Sequence, residues 1–170
     1  MIYVLIVLAA LSRLLPHLPN FTPIAGMALF GAAVLPNKWL SFLVPLAALV
    51  LSDFFLGFYG WAGMAGVYGA TLLVSLLGYV LVGKQTASVG RIATAALSGS
   101  VLFFLITNTV CWWTGYPHTL AGLWLCFTLA LPFFRNEVMG TVLSTTVLFG
   151  GQALLVRAST NRRRSATAPV

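Results

Sequence analysis

Apolar residues run almost unbroken from Ile2 to Val156, and the breaks fall where Pro, Gly and a few charged residues stand. The charges are very few: nine Lys/Arg and two Asp/Glu in 170 residues, or 6% of the chain. A soluble domain carries about 25% charged residues. A chain this poor in charge cannot clothe a water-facing surface. That excludes a soluble enzyme, a secreted disulfide scaffold and a disordered protein. What remains is an all-α polytopic membrane bundle. A helical crossing takes about 20 residues, so residues 1–156 make one integral-membrane domain with no room for a soluble one.

Seven apolar segments follow from the breaks: Ile2–Leu15, Ile24–Leu35, Leu40–Phe58, Gly63–Val82, Ile92–Cys111, Thr119–Phe134 and Val138–Val156. The start of the chain has no basic stretch and no Ala-x-Ala site, so Ile2–Leu15 reads as a retained helix rather than a cleaved signal. If all seven segments cross, the bases divide almost evenly between the two sides. If Thr119–Phe134 only dips into the outer face, Lys38, Lys84, Arg91, Arg157, Arg162, Arg163 and Arg164 fall inside, leaving only Arg13 and Arg135 outside. That is the positive-inside pattern. The expectation is therefore six transmembrane helices plus a re-entrant or interfacial segment near 119–134, with both termini cytoplasmic. Residues 157–170, with no apolar period, read as a disordered basic cytoplasmic tail near anionic headgroups.

The net charge of +7 does not point to nucleic acid, because the bases form no stripe interleaved with aromatics. Cys111 and Cys126 lie in apolar runs without a CxxC spacing and read as small buried hydrophobes. His17 and His118 have no third ligand at metal-site spacing, so neither a metal nor a cofactor is expected. There is no HExxH, GxSxG or phosphate-binding glycine loop, so no enzyme is expected and any ATP-driven step belongs to another chain.

On this topology the expensive polar residues collect at the outer end. Charged groups inside a membrane face a partner or a cavity. Asp53 is either a pocket carboxylate or half of an ion pair with Arg13 or Arg135. Arg135, Asn136 and Glu137 read either as a helix start, with Asn136 capping it, or as ligand-facing groups. Trp112 and Tyr116 read either as part of an interfacial aromatic belt or as a stacking platform. Small residues recur at Ala28-xxx-Ala32 and Ala62-xxx-Gly66-xxx-Ala70, a spacing that lets helices approach closely, within the protein or against a membrane partner.

Several stretches carry a resemblance: Ser12-Arg13-Leu14-Leu15-Pro16-His17-Leu18-Pro19-Asn20-Phe21-Thr22-Pro23, Ala28-Leu29-Phe30-Gly31-Ala32, Leu51-Ser52-Asp53-Phe54-Phe55-Leu56-Gly57-Phe58, Phe104-Leu105-Ile106-Thr107-Asn108 and Ala130-Leu131-Pro132-Phe133-Phe134-Arg135-Asn136. They look like an uncharacterised family of small bacterial membrane proteins, which in turn resembles the substrate-binding S components of energy-coupling factor (ECF) transporters. The resemblance implies a bacterial inner-membrane protein that binds a vitamin or other micronutrient under a cap after the first helix. Its partners would be a T subunit and ATPase subunits. The first helix lacks the small-residue pair on which S components often dock, and Ala28 and Ala32 are the nearest equivalent here. The substrate site expected from residues and resemblance together is Arg13, His17, Asn20, Asp53, Asn108, Trp112, Tyr116, Arg135 and Glu137. In it arginine would engage an anionic group, Asn and Asp would hydrogen-bond, and the aromatics would stack. The rival reading is a structural or assembly membrane protein without a small-molecule ligand.

Overall fold

The computed structural model describes residues 2–15, 18–35, 37–83 and 88–166. Among these residues there are six helices: α1 (Ile2–Ser12), α2 (Ile24–Val34), α3 (Lys38–Leu56), α4 (Trp61–Leu81), α5 (Val89–Gly115) and α6 (Leu120–Ala166). Side chains set several of their ends. Asn37 accepts the Trp39 amide at 2.9 Å and caps α3. Ser88 caps α5 through the Arg91 amide. At the far end of α3, Gly57 takes φ +96°, where a residue without Cβ turns at no steric cost, and its amide closes onto the Asp53 carbonyl. Proline removes one backbone donor, yet α3 continues through Pro45 and α6 through Pro132.

The bundle is assembled around its shortest pieces. α2 has 11 residues, of which nine are buried, and it touches each of the other five helices. Two apolar clusters share it. One joins Met27 and Phe30 to Ile6, Leu49 and Leu148; the other joins Ala28 and Leu29 to Val74, Val82 and Ala95. Ala28 and Ala32 are both fully buried. A Cβ on Gly78 of α4 would sit 3.2 Å from Ala32 Cβ and 3.0 Å from Leu29 Cδ2. The small residues of α2 thus let α4 approach closely, as in packed membrane helices. As a docking surface for a partner, Ala28 and Ala32 are corrected: internal packing takes them both.

Four helices are long and apolar enough to cross a membrane: α3, α4, α5 and the stretch Leu120–Thr160 of α6. Their outward faces carry exposed apolar side chains such as Leu51, Phe54, Phe55, Val80 and Leu154. Trp39 and Trp61, at the starts of α3 and α4, are 71% and 84% exposed, as in an interfacial aromatic belt. α1 and α2, with 11 residues each, reach about 16 Å at about 1.5 Å per residue, half of a hydrocarbon core of about 30 Å.

Two expectations at the end of the chain are corrected. The stretch near 119–134 is no separate dip, because it forms the first third of α6, which runs 47 residues without a break. Phe127 and Phe134 pack on Phe104 of α5, with ring centroids 5.5 and 4.6 Å away, and those contacts hold the stretch against α5. Past Pro132 come Phe133 and Phe134, then Arg135-Asn136-Glu137, and the helix continues through all of them. The basic tail is helical as far as Ala166, where an unstructured segment was expected. Its Arg-rich composition is compatible with helix, since arginine is a good helix former.

Candidate functional site

Arg13 lies just beyond α1 and points across the bundle to the last turn of α3. Its Nη1 stands 2.8 Å from Asp53 Oδ1, with the two side chains 12% and 1% exposed. The same nitrogen donates to Ser52 Oγ and, at 3.4 Å, to the Leu49 carbonyl. From α4, the Tyr68 hydroxyl donates to Asp53 Oδ2 at 2.8 Å. The chain carries two acids, and this one is fully paired at both oxygens. The arrangement ties the end of α1 to α3 and α4. It also meets the requirement that a charge inside a low-dielectric bundle have a partner.

Beside the pair lies a cavity of about 270 Å³. Arg13, Asn20, Thr22, Tyr59 and Thr107 make its polar wall; Ile24, Leu49, Val67 and Phe103 make the apolar one. The loop that joins α1 to α2 forms part of this wall. Asn20 adopts φ +62° there, a left-handed conformation that Asn tolerates better than most residues. The Thr22 amide bonds back to the Asn20 carbonyl at 3.1 Å. Tyr59 comes from the α3–α4 turn. Burial, followed by the negative charge of Asp53, raises its phenol above the usual range, so the group is an uncharged donor at neutral pH.

α6 holds the loop from behind. Asn136 Nδ2 donates to the Pro19 carbonyl at 3.1 Å. Gly140 faces the loop backbone so closely that a Cβ there would sit 2.9 Å from the Thr22 nitrogen and 3.0 Å from its carbonyl oxygen. Asn136 therefore serves as a loop anchor in mid-helix. The reading of Arg135-Asn136-Glu137 as a helix start is corrected, because α6 begins well before it, at Leu120.

The expected site residues divide into groups. Arg13 and Asn20 line the cavity, and Asp53 sits directly behind Arg13. Asn108 turns back on its own helix, donating to the Phe104 carbonyl at 2.8 Å, while its neighbour Thr107 reaches the cavity. Trp112 and Tyr116 belong to the α5–α6 turn: Trp112 Nε1 donates to the Pro117 carbonyl at 3.0 Å, and the Tyr116 amide closes α5 onto the Trp112 carbonyl. His118 stacks on Trp113 in the same turn, with centroids 4.5 Å apart. Arg135 is exposed. Glu137 is buried and accepts from Thr141 Oγ1 at 2.9 Å, but it does not line the cavity. His17 lies outside the described residues. Sequence reasoning passed over Thr22, Tyr59, Tyr68 and Thr107. Three of these are hydroxyls within or beside the stretches that carry the family resemblance, and Tyr68 stands isolated in the apolar run of α4.

Both cysteines are free thiols, Cys111 exposed and Cys126 buried. Among the described residues no three His, Cys, Asp or Glu side chains converge as metal ligands would. The cavity wall offers hydrogen-bonding groups and apolar contacts.

A helical membrane protein with a cavity of mixed polar and apolar lining beside a proline-rich loop is the class these features define. The chain belongs to a family of unknown function, DUF6580, which it matches over residues 1–165. No curated protein and no solved structure matches it.

Proposed function

We propose that this protein captures a small, vitamin-like molecule at the outer face of the bacterial inner membrane, in the manner of an ECF S component, with uptake energised by separate T and ATPase subunits. The observation that carries the reading is the cavity of about 270 Å³ between the α1–α2 loop, α3, α4 and α5, with both polar and apolar walls. Binding sites in membrane bundles sit where irregular backbone is buried in protein or lines a cavity, and the loop of Leu18–Pro23 meets that condition. The distribution of charge supports the orientation. Lys38 opens α3, Arg91 lies in the first turn of α5, and Arg157 lies far along α6, all at the end away from Arg13 and the cavity. With basic residues inside, the cavity faces out. In this reading α1 and α2 complete six membrane-embedded helices, the short α2 being tolerated at depth because protein surrounds it.

The test is to purify the full chain in detergent and identify copurifying small molecules by mass spectrometry, followed by thermal-shift titration with each compound found. A molecule that stabilises the protein, and does so less when Thr22 or Asn20 is changed to Ala, is the expected result. A protein that releases no small molecule and responds to none in a broad metabolite screen overturns the reading. The Arg13–Asp53–Tyr68 cluster favours a second one, in which the outer polar groups are helix ties of an assembly protein. That alternative predicts loss of stability in these variants with no ligand to lose.

A further inference from the structure

The cavity wall carries a cation whose charge is already cancelled. Arg13 supplies it, and Asp53 Oδ1 stands 2.8 Å behind. The pair is neutral as a unit. Arg13 Nη1 also reaches Ser52 Oγ and the Leu49 carbonyl, while the second Asp53 oxygen takes the Tyr68 hydroxyl. An anion in the cavity would meet a guanidinium whose charge is already offset by a carboxylate that is 1% exposed. In a low-dielectric interior pulling the two apart is far more costly than in water, so the pair stays together and the wall carries no net charge. A cationic ligand would meet the Arg13 guanidinium directly. The other polar lining groups, Asn20, Thr22, Tyr59 and Thr107, are uncharged donors and acceptors. Facing them are Ile24, Leu49, Val67 and Phe103.

From this geometry we infer that the ligand is compact and electrically neutral, with one apolar flank and one flank of amide, carbonyl or hydroxyl groups. This reading departs from the expectation that an arginine engages an anionic group. The volume of about 270 Å³ falls below the roughly 300–1,000 Å³ of pockets that take drug-sized ligands, which limits the molecule to a single ring system or its equivalent. The inference rests on the capture reading proposed above and narrows it.

The test uses the full chain in detergent and a library of carboxylic acids, each matched with its primary amide, benzoate with benzamide among them, together with any molecule that copurifies. Thermal shift and equilibrium dialysis give the ranking. The expected result is that binders are uncharged at neutral pH, and that amides outrank their acids by at least about tenfold in affinity, a difference of about 1.4 kcal/mol. Asp53→Asn, which keeps an acceptor for Tyr68 but frees the Arg13 charge, should reverse the ranking toward acids. If Asp53→Asn does not fold, the wild-type ranking alone decides. Preference of the wild type for acids overturns the neutral-ligand inference while leaving capture intact. Absence of any binder or copurifying molecule overturns capture, and this inference with it.

Discussion

Removing Asp53 is the sharpest perturbation of the bundle. Asp53→Ala leaves the Arg13 guanidinium, 12% exposed, facing a void where its 2.8 Å partner stood, and it strips Tyr68 of its acceptor. Breaking a buried ion pair by deleting one member costs about 3–5 kcal/mol, and the orphaned phenol adds about 1 kcal/mol. For a chain of this length each kcal/mol moves Tm by about 2–4 °C, so the ion-pair loss alone should lower Tm by roughly 6–20 °C. A thermal-stability assay on detergent-purified protein reads this directly. The control is the double variant Arg13→Met with Asp53→Leu, which replaces the pair by apolar groups of similar reach. Such replacements are often neutral or stabilising, so the double variant should recover most of the loss. If Asp53→Ala melts with the wild type, or the double variant is as unstable as the single, the pair is not the helix tie described above.

Three further outcomes follow from the same geometry. Gly140→Val should force the α1–α2 loop off α6, since even a Cβ would approach the Thr22 nitrogen to 2.9 Å. A loss of about 1–3 kcal/mol and faster proteolysis between residues 18 and 23 would report it. Asn136→Ala removes the hydrogen bond to the Pro19 carbonyl and should cost about 0.5–1.5 kcal/mol, with hydrogen exchange rising in the same loop and not in α4. Arg135→Ala, at an exposed position outside the cavity, should change stability by no more than about 0.5 kcal/mol and leave ligand binding unaltered. A binding defect in that variant would return Arg135 to the site.

Much of the architecture was legible because scarcity of charge is informative in a bilayer. Apolar runs marked α3, α4 and α5 to within a few residues, and Asn37 and Gly57 stand at the two ends of α3. Pro132 misled, because a proline inside an apolar run reads as a boundary, whereas α6 absorbs it and packs Phe127 and Phe134 on either side against Phe104. At the site, Arg13 and Asp53 stood out as isolated charges, but only three dimensions could choose Arg13 over Arg135 as the partner. Tyr59, Thr22 and Thr107 could not be singled out in advance, because hydroxyl-bearing residues are common in these helices and only the meeting of three elements gathers them at one cavity.

The central position of α2 also constrains how the protein is made. A helix of 11 residues that touches every other helix is too short to hold itself across a bilayer, and its entry loop leans on Gly140 and Asn136 of α6. Until α6 has been synthesised, that loop lacks both the Asn136 hydrogen bond and the close face of Gly140. The first two helices therefore gain their loop anchor only when the last helix is made. A chain that stops before α6 keeps three of the four helices long enough to cross a membrane and leaves the α1–α2 loop without its anchor.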